Sequence, residues 1–281
     1  MSEHHGTGTA THADEPVADG DVPIHHQRTA DDVISYNQPT TADDYRRWDD
    51  AASWLLGYPF VPMALGLDDT TRIRLLDLGC GPGDLTRWIA ERNSVHVIAV
   101  DASEAMVELA RSHNRHDSVE YHVSEIDRLP FLPDGSMDAA MACFLFTCVS
   151  DRELMYRLIA EAARVLRPGG RFTVLVPHPD HEHDVSFEGF HRGEPGAVYR
   201  AGDFIPIRVR RRDGSWTSIT NTYWPREAFH EALASAGLVD ITELAPVLAD
   251  AHGVADPELI ASRGWAQERS VPPFLLLTAT R

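Results

Sequence analysis

The run Leu75-Leu76-Asp77-Leu78-Gly79-Cys80-Gly81-Pro82-Gly83-Asp84 holds the residues whose types and spacing point most directly to ligand chemistry. Glycines at 79, 81 and 83 remove the Cβ at alternate positions, so the backbone can turn sharply and approach a ligand closely. Leu85 to Glu91 has helical character, and a helix behind such a loop has free N–H groups at its start. Three ligand loops compete for this pattern. A P-loop needs Gly-x-x-x-x-Gly-Lys-Ser/Thr, with a lysine for the phosphates; here Asp84 follows Gly79 at that spacing, and no lysine is near. The dinucleotide fingerprint Gly-x-Gly-x-x-Gly sets a pyrophosphate on the helix N-terminus. This loop is Gly-x-Gly-x-Gly with the Asp84 carboxylate where the pyrophosphate would lie. A ligand without phosphate and with positive charge suits it better.

A second acid supports a nucleoside ligand. Val95 to Val100 is apolar and β-branched and ends at Asp101, about 20 residues past the glycines, where a carboxylate can accept both ribose hydroxyls of an adenosine. Ser103 can cap the following helix, Ser103 to Arg111, which leaves Asp101 for the ligand.

These residues need a frame, and the chain supplies an alternating one. Strands are expected at 73–78, 95–100, 118–124, 138–144 and 170–177, with helices between them. That alternation argues for an α/β fold, a mostly parallel sheet with helices on both faces. Residues 1–29 carry hardly any large apolar residue and read as a disordered tail, in which the pairs His4-His5 and His25-His26 have no structural role. The remainder, 30–281, reads as one domain. Its first part, 30–70, is an aromatic-rich helical cap, with Tyr36 and Tyr45 supplying hydroxyls. After Val176 the rhythm breaks: residues 177–202 read as loop, and Phe204 to Val209 and Ser215 to Thr222 then alternate around Asp213-Gly214, a β-hairpin signal. This insertion, 178–224, is expected to serve as a lid or an oligomer contact. A helix from Pro225 to Ala236, with proline in its first turn, precedes two last strands at 238–244 and 273–280.

Four ordered blocks now carry a resemblance. Leu75 to Thr86 and Val97 to Arg111 are followed by Ser124-Glu125-Ile126-Asp127-Arg128-Leu129-Pro130-Phe131 with Asp134-Gly135-Ser136-Met137-Asp138, and by Ala160 to Gly170. Together they resemble the motifs of class I S-adenosylmethionine-dependent methyltransferases of the small-molecule type. The resemblance implies a Rossmann-like sheet of seven strands ending in an antiparallel pair. It implies S-adenosyl-L-methionine as cofactor and S-adenosyl-L-homocysteine as product. Asp77 and the backbone of Gly79, Cys80, Gly81 and Gly83 would face the methionine part. Asp101 would hold the ribose, Ala102 and Met106 would flank the adenine, Glu125 and Ile126 would lie at its edge, and Phe144 would sit beside the sulfonium. The family's usual Gly-Asp stands here as Ser124-Glu125.

Methyl transfer is an in-line displacement, so a protein must chiefly align the nucleophile and exclude water, and a base is needed only by some nucleophiles. His178, first out of the fifth strand and between Pro177 and Pro179, is the expected base, with Tyr36 as a second catalytic candidate. His181-Glu182-His183 lacks the spacing of a metal motif, and no metal is expected. His191, Tyr199, Tyr223 and Trp224 are further pocket candidates that suit an aromatic or indolic metabolite of natural-product biosynthesis.

Composition narrows the partners. A formal net charge of −18 disfavours nucleic acid and acidic membranes, both of which select Lys/Arg-rich surfaces. Three cysteines with no metal or disulfide spacing, no signal peptide and no membrane-spanning run fit a cytoplasmic protein. A small-molecule acceptor and a homodimer are the partners expected. The competing readings are a non-catalytic S-adenosylmethionine-binding regulator and an NAD-dependent oxidoreductase.

Overall fold

Strand β1 (Ile73–Leu78) ends in the glycine loop, and helix α3 (Asp84–Arg92) leads out of it. The computed structural model describes Met1 and residues 45–67, 72–181 and 185–281. Tyr36, the histidine pairs of the first 29 residues and Glu182 to Asp184 lie outside the described residues. Among the described residues before β1 lie the short helices α1 (Ala51–Leu56) and α2 (Val61–Leu65). After α3 the chain continues as β2 (Val95–Asp101), α4 (Glu104–His113), β3 (Val119–Val123), β4 (Met137–Cys143), α5 (Arg152–Val165) and β5 (Leu166–Pro177). An inserted part holds β6 (Val185–Ser186), β7 (Phe190–Arg192), β8 (Phe204–Arg210) and β9 (Trp216–Thr222). Helix α6 (Arg226–Ser235), β10 (Val239–Leu244), α7 (Pro257–Ala261) and β11 (Phe274–Thr280) complete it.

The main sheet has seven strands in the order β10-β11-β5-β4-β1-β2-β3. The pairs among β1 to β5 are parallel, while β11 runs antiparallel to both β5 and β10. The seven-stranded sheet and its final antiparallel pair therefore stand as expected. Alternate strand residues feed two cores. Leu76, Leu78, Ile98 and Val100 pack with Leu158 and Ile159 of α5 and Phe229 of α6. Leu75, Val97 and Ala99 pack on the opposite face with Ile89 of α3, Val107 of α4 and Leu55 and Leu56 of α1. Strand order reverses at β1, whose neighbours are β2 and β4, and open α/β sheets bind ligands at such a switch point, outside the strands' carboxyl ends.

Three local expectations change. β5 starts at Leu166, because Leu166 pairs with Met137 ahead of a register shift, so Pro168-Gly169-Gly170 lies inside the strand. Pro225 sits at the cap of α6, one residue outside its first turn. The inserted hairpin is half of a four-stranded antiparallel sheet, β6-β7-β8-β9, so residues 177–202 are not wholly loop. That sheet clasps the segment before α1: Trp48 bridges to Arg211, Asp49 N–H donates to Arg210 O at 2.8 Å, and Arg212 N–H donates to Arg47 O at 2.9 Å. No helix among the described residues is long and apolar enough to cross a membrane.

Candidate active site

The glycine loop is rigid because it is bonded inward. Gly79 and Cys80 N–H both donate to Val100 O, at 2.8 and 3.0 Å, Gly81 N–H donates to Asp101 Oδ2 at 2.8 Å, and Gly83 N–H donates to Cys80 O at 3.1 Å. The loop's own amide donors at Gly79, Cys80, Gly81 and Gly83 are thus consumed, which leaves its carbonyls and the neighbouring carboxylates for a ligand. Gly79, Gly81 and Gly83 all have positive φ. A Cβ at Gly81 would meet nothing within 4 Å, so the space over the loop is open to a ligand there. At Gly83 a Cβ would come within 2.6 Å of the Tyr121 hydroxyl, which makes that glycine a packing requirement.

Asp77 is buried at the end of β1, and the Thr86 hydroxyl donates to it at 2.5 Å. Burial raises its pKa to about 7, the Thr86 bond opposing and the Asp101 charge adding. Asp101 accepts from Gly81 N–H through one oxygen and from Ser103 N–H through the other, each at 2.8 Å. Burial pushes this acid up as well, against those backbone bonds. Ser103 caps α4 as expected, accepting from Met106 N–H at 3.2 Å.

A cavity of about 550 Å³ covers this end of the sheet. Asp77, Gly79, Cys80, Gly81, Asp101, Ala102, Met106, Ile126 and Phe144 all line it. Gly83 and Glu125 do not, and Glu125 is exposed. Burial pushes the Cys80 and Cys143 thiols in its wall well up, so both stay neutral. Beyond the loop an aromatic arc continues the wall. Tyr58 meets Phe144 edge-on at 5.6 Å between ring centroids, Phe144 meets Phe274 at 5.2 Å, and Phe274 stacks on Phe190 at 5.8 Å. Phe144 holds φ at +59° at the exit of β4, a conformation costing about 1–3 kcal/mol in a bulky residue, and its two ring partners hold it there.

His178 does not line this cavity. It is 5% exposed, its ring lies 4.6 Å from that of His181, and its Nδ1 accepts from Asp180 N–H at 3.3 Å. Burial, and next the neighbouring His181, lower its pKa to about 4. The structure therefore sets His178 outside the cavity wall with lowered basicity, and neither observation supports a base at this position: a strand's exit point does not fix which way its first side chain turns. His191, Tyr199, Tyr223 and Trp224 are also absent from the wall; Trp224 is buried and donates to Val149 O at 2.7 Å.

Other lining residues had no sequence signal as site groups. Asp49 and Asp50 precede α1, Arg192 comes from β7, Arg212 from the β8–β9 turn and Asn221 from β9. They meet only because the inserted sheet folds over the cap. Tyr45, already a hydroxyl candidate, lines the cavity with Tyr58, and burial pushes both phenols up, so neither is a phenolate near neutral pH.

The sheet order, the glycine turn and the paired acids define a nucleoside-binding enzyme of the Rossmann-like type. Residues 75–170 match the family described as "Methyltransferase domain". The chain is 34% identical over 232 residues to N-demethylindolmycin N-methyltransferase of Streptomyces griseus, covering 80% of this chain and 96% of that one. It is 38% identical over 114 residues to 27-O-demethylrifamycin SV methyltransferase of Amycolatopsis mediterranei, covering 38% of this chain and 40% of that one. Among solved structures, the CcbJ methyltransferase of Streptomyces caelestis has the same fold at a TM-score of 0.57 and 18% identity, covering 91% of this chain and 99% of that one. The chain belongs to the class I S-adenosylmethionine-dependent methyltransferases. Its residues fit that cofactor: two buried acids and an inward-bonded loop suit a cationic, phosphate-free nucleoside.

Proposed function

We propose that the enzyme methylates a small, flat, aromatic acceptor of natural-product type, bound against the arc of Tyr58, Phe144, Phe274 and Phe190. The observation that carries this reading is the arc itself, which adjoins the glycine loop within one cavity. Aromatic faces at such spacings favour planar ligands by offset and edge-on packing. The similarity to an N-demethylindolmycin N-methyltransferase supports the acceptor class, since it extends over 80% of the chain and so beyond the cofactor motifs.

When bound, S-adenosylmethionine supplies a methyl group already activated by the sulfonium charge. Asp77 and the Gly79–Gly81 carbonyls would hold its amino-acid end, Asp101 its ribose, and Ala102, Met106 and Ile126 its adenine. Phe144, fixed between Tyr58 and Phe274, would wall the reacting carbon. The clasp of the inserted sheet over residues 47–49 would exclude water from it. Three free thiols fit the reducing cytoplasm, and a homodimer remains part of the reading, to be read by light scattering.

The test is transfer of a radiolabelled methyl group from S-adenosylmethionine to N-demethylindolmycin and a panel of aromatic amines and phenols. A methylated product with stoichiometric S-adenosylhomocysteine is expected. Micromolar cofactor binding with no methylated product from any acceptor would favour the non-catalytic reading instead.

A further inference from the structure

Two acids come to the cavity from the segment before α1, and they are bonded differently. Asp49 is spent: its oxygens take both terminal nitrogens of Arg263, at 2.7 and 2.8 Å, and one also accepts from Ala51 N–H at 3.3 Å. Asp50 stands at the N-cap position of α1 and makes no capping bond. Its Oδ2 accepts from the Trp54 indole N–H at 2.8 Å, and its Oδ1 takes a 3.2 Å contact from Arg212, whose side chain is 67% exposed. An ionised carboxylate has about four lone-pair sites, so capacity remains on a group that lines the same cavity as Tyr45, Trp48 and Tyr58. Asp49, Asp50 and Arg212 also line a second groove, with Trp54 and Trp88. Asp50 is thus held in the wall by one partner on each oxygen, with lone-pair capacity beyond those two contacts.

The other acids of the wall have assigned partners: Asp77 and Asp101 face the cofactor side, and Asp84 accepts from Asn114 Nδ2 at 2.9 Å. Tyr45, Tyr58, Cys80 and Cys143 are all pushed up and neutral. Resting on the aromatic-acceptor reading above, we propose that Asp50 binds the acceptor's nitrogen and accepts its proton, so that the enzyme selects amines over alcohols and phenols of the same shape. A carboxylate in a wall shared with aromatic rings suits an ammonium, through charge-assisted hydrogen bonds and cation–π attraction. It opposes a phenolate by charge. Burial pushes the Asp50 carboxyl above its ordinary range, against the Trp54 N–H and Arg212, which improves it as a proton acceptor.

In the step itself, the acceptor's ammonium gives one proton to an Asp50 oxygen, freeing the nitrogen lone pair. The N–C bond then forms as the S–CH₃ bond breaks, and the electron pair of that bond stays on sulfur. The product leaves as a methylammonium, and the proton on Asp50 passes to solvent.

The experiment titrates the S-adenosylhomocysteine-saturated enzyme with benzylamine, phenethylamine and tryptamine, each against the alcohol of the same skeleton. In the wild type the amines are expected to bind about tenfold tighter than the alcohols, the scale of one charged hydrogen bond. Asp50→Asn is expected to erase that ratio while leaving the affinities for the alcohols and for S-adenosylhomocysteine unchanged. Arg212→Gln, which loosens the clasp and keeps the acid, is expected to retain it. Equal binding of amines and alcohols in the wild type overturns the proposal without any variant having to fold. A ratio that survives Asp50→Asn, or that is lost only in Arg212→Gln, also overturns it, and the aromatic-acceptor reading stands in both cases. Failure of every probe to bind overturns both readings.

Discussion

Position 79 shows how narrowly the cofactor loop is specified. Gly79 has φ +77°, and a Cβ there would come within 2.8 Å of the Leu145 side chain, next to Phe144. Gly79→Ala is therefore expected to weaken S-adenosylhomocysteine binding at least about tenfold by moving the loop, with the loss read by calorimetry. Asp77 makes a pH prediction. Its folded pKa of about 7 lies above the ordinary 3.8, so its contribution to stability is complete below 3.8 and is lost as pH rises through about 7. Cofactor binding has the opposite sign, because the cofactor's ammonium needs the ionised acid. Affinity should be flat above about pH 7 and fall by up to about tenfold per pH unit below it, with proton release visible as a buffer-dependent enthalpy. Asp77→Asn should remove that dependence; a wild-type profile flat from about pH 6 to about pH 8 would contradict it. The loop and both its acids were legible because they are contiguous with strands of clear pattern. Asp50 and Arg212 were not, since 162 positions separate them and their meeting depends on tertiary folding. The placement of His178 outside the cavity wall was not legible either, because the chain shows where a strand ends and not where the next imidazole turns.

Among the elements, the alternation of apolar strands and amphipathic helices made the parallel sheet and its antiparallel finish readable. Two features escaped it. Val185–Ser186 and Phe190–Arg192 are two and three residues long, too short to show a period of two, so half of the inserted sheet read as loop. Pro168-Gly169-Gly170 read as a turn, yet pairing of Leu166 with Met137 carries the strand through it. The inserted sheet is pinned to the main body by Trp224, whose buried indole donates to Val149 O at 2.7 Å beside the Phe144 exit. Trp224→Phe keeps an aromatic ring, shortens it by the indole's second ring and strands that carbonyl. It is expected to cost about 1–3 kcal/mol, read as a lower denaturant midpoint at unchanged m-value, and to raise the KM for acceptor more than that for cofactor. Equal effects on the two KM values would mean that the sheet does not wall the acceptor.

At the scale of the molecule, the chain brings two chemistries to one end of the sheet. The topological switch at β1 puts acids and an inward-bonded glycine loop on one side, and Tyr58 of the cap and Phe190 of the inserted sheet join Phe144 and Phe274 of the main sheet as aromatic rings on the other. The first half follows from a fold read directly in the pattern of the chain. The second comes from segments whose sequences carry no shared motif, so its lining could be recognised only once folded. A net charge of −18 agrees with a small acceptor, since a polyanionic one would be repelled. The cavity is divided between cofactor and acceptor, and a crystal structure of the S-adenosylhomocysteine complex would show that division. Ribose is expected at Asp101, the amino-acid end at Asp77 and the loop, and sulfur facing the Tyr58–Phe144–Phe274 arc, with Phe190 and Asp50 uncovered. A nucleoside base lying on that arc instead, leaving Ala102, Met106 and Ile126 bare, would contradict it.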